Sequence, residues 1–248
     1  MMAVYTKIFR GLLVSLVFIS FSFAQNVTTE ILEGAQDYSD RWVTYGRNYG
    51  AWRFIPDNEI NRDTVADLRP VWIKQTGVTG GAFEVTALVN DGRMYLTTAN
   101  SHLIVVDPQT GDELWRYDHD FENVDLCCGP HNRGVALYED MVFYGTLDAR
   151  LIAFDAESGI QLWDTEVGDY RESYSITGAP LVVKDMVLIG VGGGRVWHSW
   201  LYRCLRCLHR RVEMAILYYA RRRGIGERYL GGRFLENRWR THVGYRNL

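Results

Sequence analysis

The amino-acid sequence predicts an all-β fold of repeated four-stranded units, which is the organisation of a β-propeller. Three segments, residues 86–98, 134–146 and 178–191, each contain an apolar run, an acidic turn and a second apolar run. This order is typical of two strands around a tight turn, and further apolar runs follow the first two segments. The chain is therefore expected to hold about three blades. A β-sandwich with similar hairpins is the alternative.

A motif of Asp, Gly and Trp, spaced four residues apart, follows each of the first two segments. Its positions are Asp107, Gly111 and Trp115 in the first copy and Asp155, Gly159 and Trp163 in the second, 48 residues later. The Asp carboxylate accepts backbone N–H groups in a turn, and Gly supplies a positive φ. The Trp begins the outermost strand, where we expect its indole to fill the wedge between neighbouring blades.

Composition places the chain among globular proteins and also divides it in two. It has 248 residues, 47% of them hydrophobic, and a net charge of −3. Residues 195–248 contain thirteen Arg, three Glu and neither Lys nor Asp, so this segment alone carries about +10. We therefore expect a boundary after Gly194, with residues 25–194 forming the folded part and 195–248 a tail without its own fold.

The N-terminus predicts export from the cytoplasm. Lys7 and Arg10 precede an uncharged apolar run that ends in Ser22-Phe23-Ala24, which is the pattern of a secretory signal peptide cleaved after Ala24. The run is short for a membrane span of about 20 residues, so residues 1–24 are interpreted as a signal peptide, with an uncleaved anchor helix as the alternative. Export places the protein in an oxidising compartment, where disulfides persist.

Two of the four cysteines, Cys127 and Cys128, are adjacent. A disulfide between neighbouring cysteines closes an eight-membered ring, and strained geometry of this kind is concentrated at functional sites. Two reduced thiols, or bonds to Cys204 and Cys207 in the tail, are the alternatives from the residues alone.

Residues 38–194 resemble the N-terminal half of the quinoprotein alcohol and methanol dehydrogenases, which depend on pyrroloquinoline quinone (PQQ). The motifs that carry the resemblance are WVTYGR at 42–47, GGAFEVTAL at 80–88, CCGPHNRG at 127–134, TLDARLIAFDAESG at 146–159 and TGAPLVVKD at 177–185. The resemblance implies an eight-bladed propeller in the full-length family, with PQQ in the central channel and a calcium or lanthanide ion beside it.

The resemblance also implies which residues bind the cofactor. Glu84 would form a hydrogen bond to PQQ, and a Cys127–Cys128 disulfide would lie against one face of the quinone. Arg133 would donate to the carbonyl oxygens, while Thr177 and the backbone of Gly193 and Gly194 would bind the carboxylates. These residue types suit an acidic planar cofactor, which needs cationic and N–H donors at its edges and rigid walls on its faces.

The sequence departs from the family after Gly194, where the family has a Glu that binds the metal and this chain has Arg195. An Arg cannot coordinate a cation, so no metal ligand is expected in this chain. A change of reading frame explains the departure: suitable codons for residues 195–207, read one base later, give EYGIRGFIDAYDA, which is the expected third repeat. Residues 226–246 give another family segment after the same shift.

The implied function is oxidation of a primary alcohol to an aldehyde in the periplasm, with electrons passing to a cytochrome c and a homodimer possible in the full-length form. The family's catalytic Asp lies beyond this chain, so the 248-residue product is expected to be inactive. The alternative is a non-enzymatic propeller that binds proteins in the cell envelope.

The Arg-rich tail suggests a nucleic-acid or anionic-membrane patch, and Cys204, Cys207 and His209 suggest a metal knuckle. Both fit an exported protein poorly, so neither a nucleic-acid partner nor stable membrane insertion is expected.

Overall fold

The structure is a computed structural model that describes residues 26–57, 59–120, 126 and 129–193, together with the backbone of 199–206 and 214–220. The predicted signal peptide, Cys127, Cys128, Gly194 and Arg195 lie outside these residues. Within the described ranges, the only α-helix is the short α1 (Thr29–Glu33), and strands account for most of the regular structure.

The strands follow one another through the chain from residue 82 onward. They are β1 (Ala82–Phe83), β2 (Leu88–Asn90), β3 (Arg93–Thr97), β4 (His102–Val106), β5 (Glu113–Asp118), β6 (His131–Asn132), β7 (Ala136–Tyr138), β8 (Met141–Gly145), β9 (Arg150–Asp155), β10 (Gln161–Glu166), β11 (Tyr174–Ser175), β12 (Leu181–Val183), β13 (Met186–Gly193), β14 (Ser199–Arg206) and β15 (Met214–Ala220).

Two four-stranded antiparallel sheets and one five-stranded antiparallel sheet form the blades. The first contains β2 to β5 and the second β7 to β10, each in chain order. The third runs from β12 through β13 and β14 to β15, with β11 also paired to β13. The prediction of an all-β propeller fold with about three blades is therefore confirmed.

Burial follows the strand positions within a blade. In the second blade, β8 and β9 are buried along most of their length, because neighbouring blades cover both faces of the sheet. The outer strand β10 alternates between exposed and partly buried residues. The apolar runs of the sequence thus become central strands, and the mixed runs become blade edges.

The wedge contact predicted for Trp115 is present, and Trp72, which the sequence motif does not include, makes an equivalent contact. The contact expected of Trp163 stays a prediction. A Cβ added to Gly111 would lie 2.7 Å from the indole of Trp72, and one added to Gly159 would lie 2.6 Å from the indole of Trp115. Trp115 Nε1 also donates to the carbonyl oxygen of Ala156 at 3.4 Å. Each indole therefore packs flat against the glycine turn of the following blade.

A local irregularity precedes the motif tryptophans Trp115 and Trp163 in their strands. Trp115 is the third residue of β5 rather than its first, and the register of β5 against β4 shifts between Glu113 and Trp115. The same shift occurs in β10 between Gln161 and Trp163. An extra residue in a strand turns the side chains that follow it, so the repeat directs its indole by a bulge as well as by its position.

The N-terminal segment crosses two blades. The backbone of Trp42 pairs with Val89 in the first blade, and Val27 pairs with Glu139 in the second. Arg47 is fully buried and donates to the backbone carbonyls of Ala35 and Tyr38. Burial lowers the pKa of Arg47, and arginine side chains nevertheless remain protonated in proteins. The N-terminal segment therefore connects the first and second blades through backbone pairing.

The backbone after residue 198 continues the third blade. β14 pairs antiparallel with β13, and β15 pairs with β14. These two strands lie in the segment whose composition changes after Gly194. The boundary at that residue stays a prediction.

Replacement of Gly159 by Ala should destabilise the fold more than replacement of Gly92. Both glycines have a positive φ, +71° and +69°, so each Ala introduces backbone strain of about 1–2 kcal/mol. Only at Gly159 does the new methyl group also meet an indole, whereas nothing lies within 4 Å at Gly92. We expect an additional loss of about 1–3 kcal/mol for Gly159→Ala in urea denaturation. Equal losses for the two variants would contradict the wedge contact.

Candidate cofactor site

The three blades meet through the segments that lead into their first strands. β1 and β6 pair in parallel, with Ala82 opposite His131. Beyond this pair, the backbone N–H of Thr86 donates to the carbonyl of Arg133, and the N–H of Arg133 donates to the carbonyl of Thr177, each at 3.1 Å. One residue from each blade is thereby linked in a row.

The side chains of Glu84, Arg133 and Thr177 converge at this row. Arg133 Nη2 lies 2.8 Å from Glu84 Oε2, and Arg133 Nη1 donates to Thr177 Oγ1 at 3.4 Å. The Glu84 and Arg133 side chains are each 38% exposed. Three residues that the motifs singled out, far apart in sequence, thus form one polar cluster that solvent reaches. We call these three residues the polar cluster.

Asn132, the last residue of β6, holds the segment that carries Arg133. Its side chain is buried, with Nδ2 donating to the carbonyl of Gly145 at 2.8 Å and Oδ1 accepting from the N–H of Gly134 at 2.9 Å. Buried amides bonded at both ends fix the backbone around them. Arg133 therefore extends from a rigid segment.

Gly193 lies next to the strand that leads into Thr177. It pairs with Tyr174 at the start of β11, and its φ is +102°. A side chain at this position would collide with the carbonyl of Ser173, so only glycine fits. Gly193 is thus placed opposite a residue three positions before Thr177, whereas Gly194, Cys127 and Cys128 lie outside the described residues.

His131 is a site residue that motif analysis did not single out. Its Nε2 lies 4.0 Å from Glu84 Oε2, and the residue is 8% exposed. The sequence held one signal for it, because His131 stands two residues before Arg133 and side chains two apart in a strand lie on the same side. The cross-blade position of Glu84 could not be read from that spacing.

A second group of polar side chains holds the segment that runs from the first blade toward Cys127. His119 Nε2 lies 2.9 Å from Asp148 Oδ1, and both side chains are nearly buried. The Tyr117 hydroxyl lies 2.8 Å from His119 Nδ1, and the Thr146 hydroxyl donates to Asp148 Oδ1 at 2.5 Å. These contacts join the end of β5 to the second blade.

Electrostatics in this second group follow from burial and hydrogen bonding. Burial acts to raise the pKa of Asp148, but hydrogen bonds from His119 and Thr146 outweigh it, so this pKa lies below its ordinary value. Burial raises the pKa of Tyr117 to about 12. Asp148 is therefore a carboxylate and Tyr117 a neutral phenol at physiological pH.

No group of three or more His, Cys, Asp or Glu side chains in the described part of the chain is arranged to hold a metal ion. Within the same residues, no helix is both long and apolar enough to cross a bilayer.

The fold is a partial β-propeller, and its inner segments bring together a carboxylate, a guanidinium and a hydroxyl. Fold and site together define the class of protein. The chain belongs to the family described as glucose/ethanol/alcohol dehydrogenase, β-propeller domain, whose model matches residues 42–194. This is the PQQ-dependent dehydrogenase family that the motifs resemble.

Two relatives from Pseudomonas putida show the extent of the similarity. The chain is 41% identical to the quinohemoprotein alcohol dehydrogenase ADH IIB over 175 residues, covering 69% of this chain and 25% of the relative. It is 40% identical to the quinoprotein alcohol dehydrogenase PedH over 159 residues, covering 61% of this chain and 26% of the relative. The chain thus spans about a quarter of the length of these relatives.

Solved structures agree with the sequence comparison. The quinohemoprotein alcohol dehydrogenase ADHIIG from Pseudomonas putida HK5 superimposes with a TM-score of 0.70 and 32% identity, over 76% of this chain and 28% of that one. A europium-containing methanol dehydrogenase gives a TM-score of 0.67 and 31% identity, over 75% and 34% respectively.

Removal of the Asp148 carboxylate should weaken the fold in a pH-dependent way. A carboxyl whose pKa is depressed in the folded protein contributes stability above its unfolded value, and that contribution is lost as the pH falls through the folded value. We expect Asp148→Ala to cost about 1–3 kcal/mol at pH 7, and the difference from the unmodified protein to shrink below the ordinary value of 3.8. Urea midpoints between pH 7 and pH 3 measure this.

The exposed carboxylate of Asp40, with a side chain 70% exposed, provides the control, and Asp40→Ala should change the midpoint little. A loss for Asp148→Ala that stays constant down to pH 3 would exclude an ionised Asp148 as its cause.

Proposed function

We propose that this chain is part of a periplasmic quinoprotein alcohol dehydrogenase that oxidises a primary alcohol of the methanol or ethanol type to an aldehyde, with electrons leaving to a cytochrome c. The observation that carries the proposal is the polar cluster: one residue from each of three successive blades, in a chain that belongs to the family. The relatives' names, which specify quinoprotein and quinohemoprotein alcohol dehydrogenases, support the substrate class.

The polar cluster suits PQQ on chemical grounds. PQQ is a flat tricycle with three carboxyl groups and two quinone oxygens, all of them hydrogen-bond acceptors. Arg133 carries five N–H donors, of which its contacts to Glu84 and Thr177 use two, so donors are left for an acidic molecule. The Arg133 guanidinium is partly exposed, and the backbone that carries it is rigid. It is therefore well placed to bind an anion.

Each residue has a defined task in this proposal. Arg133 donates to the quinone oxygens, Thr177 and the backbone at Gly193 and Gly194 bind the carboxylates, and Glu84 accepts or shares a hydrogen bond at the edge of the ring. A Cys127–Cys128 disulfide forms the wall against one face. When bound, PQQ supplies the two-electron acceptor for the alcohol.

The same proposal includes a calcium or lanthanide ion, for which the described residues provide no ligand set. The family's ligand position corresponds to Arg195, and a guanidinium does not coordinate cations. We propose that a one-base change near the codon of Gly194 replaced the metal-binding Glu.

Resequencing of the gene tests the frame change directly. We expect that removal of a single base near the codon of Gly194 restores a long open frame that begins with EYGIRGF. A gene without such a frame contradicts the proposal, and the tail would then be a genuine part of the protein.

Binding of PQQ should depend on Arg133 in the protein that the resequenced gene encodes. We expect Arg133→Ala to weaken PQQ binding by about 10- to 100-fold, because a charge-assisted hydrogen bond contributes about 1.5–3 kcal/mol. Equilibrium dialysis with PQQ measures the dissociation constant. Arg116→Ala is the matched control, since this Arg lies on the outer strand β5 with Glu113 and loses the same charge.

The non-enzymatic scaffold is the other outcome of this experiment. A scaffold would not bind PQQ, or would bind it equally well after Cys127 and Cys128 are both replaced by Ala. For the dehydrogenase, loss of the proposed disulfide wall should lower PQQ affinity, and a non-reducing peptide map should show Cys127 and Cys128 in one linked peptide.

A further inference from the structure

The polar cluster has an ionisable neighbour, the imidazole of His131, that has no task in the proposed function. Nε2 of His131 faces the same oxygen of Glu84, Oε2, that forms the ion pair with Arg133 Nη2. The two distances are 4.0 Å and 2.8 Å. One carboxylate oxygen therefore has two nitrogen groups nearby and is in close contact with only one of them.

The difference between these distances is small. An N–H···O hydrogen bond has a donor–acceptor distance of about 2.9–3.0 Å, so a shift of the Glu84 carboxylate by about one ångström would transfer it from Arg133 to His131. Glu84 is partly exposed on a side chain with several rotatable bonds, whereas His131 is nearly buried in β6. The mobile partner is therefore the carboxylate.

A cofactor that needs Arg133 creates a reason for this shift. While Arg133 is paired with Glu84, its guanidinium is less available to quinone oxygens. A flat molecule over the site would also exclude water from Glu84, and a carboxylate without water or a donor is costly. Within the described residues, Arg133 and His131 are the only charged or titratable groups whose nitrogen atoms lie within 4.0 Å of this oxygen.

We propose that His131 is a positioning residue that takes over the hydrogen bond to Glu84 when PQQ occupies Arg133. Its Nε2–H donates to Glu84 Oε2 in the bound state, and Arg133 turns its guanidinium to the cofactor. The exchange makes and breaks hydrogen bonds only, and it requires the imidazole tautomer or charge state that carries a proton on Nε2. This inference rests on the proposed function, because it concerns the same site.

A double-mutant cycle tests the exchange through PQQ affinity rather than turnover. We expect His131→Phe, which keeps a ring but removes the donor, to raise the dissociation constant of PQQ about tenfold. His131→Gln, whose amide N–H can reach in place of Nε2, should restore most of the affinity. In a Glu84→Ala background, His131→Phe should have almost no further effect, because no carboxylate is left to satisfy.

Each result decides the matter. A purely structural role for His131 predicts the same loss with and without Glu84 and no rescue by Gln, and either observation overturns the exchange. An unchanged dissociation constant for His131→Phe overturns it while leaving the proposed function intact. Absence of PQQ binding in the unmodified protein overturns the proposed function, and the inference falls with it.

Discussion

The packing of an indole against the glycine turn of the next blade is the contact on which the remaining architecture depends. Trp72 on Gly111 and Trp115 on Gly159 set the spacing of adjacent blades at their outer edge. Because a blade is a stiff sheet, this spacing also fixes how its inner segments approach one another. The backbone bonds from Thr86 to Arg133 and from Arg133 to Thr177 are the inner counterpart of the outer contact. Repetition of the motif thus has a consequence for the site as well as for the fold.

The polar cluster contributes little to the stability of the fold. Ion pairs between half-exposed side chains are worth about 0–1 kcal/mol, and the pair of Glu84 and Arg133 is of this kind. The structure nevertheless holds Arg133 firmly, through buried hydrogen bonds of Asn132 to Gly145 and Gly134. A rigid support under a weakly paired cation is the arrangement expected where that cation serves a ligand.

The sequence predicted the blades, their number and the wedge contact of Trp115 because repeated turn chemistry and strand periodicity are local properties. It also singled out Glu84, Arg133 and Thr177, although through resemblance to a family rather than through periodicity. His131 and the pair of His119 with Asp148 were not predicted, since each depends on which strand of a neighbouring blade comes close. Spacing along one chain segment carries no information about that approach.

Other expectations from the sequence stay predictions. The signal peptide, the Cys127–Cys128 disulfide and the roles of Gly194 and Arg195 fall outside the described residues. The bulge before Trp115 and before Trp163 was also not foreseen, because which residue is left unpaired depends on the register of the neighbouring strand.

The central claim is that three successive blades present their inner residues to one flat, acidic cofactor. A crystal structure of the protein soaked with PQQ tests this most directly. The account predicts planar density within hydrogen-bonding distance of the Arg133 guanidinium and the Thr177 hydroxyl, with Glu84 displaced from Arg133. Density at any other position, with Glu84 and Arg133 still paired at 2.8 Å, would contradict it.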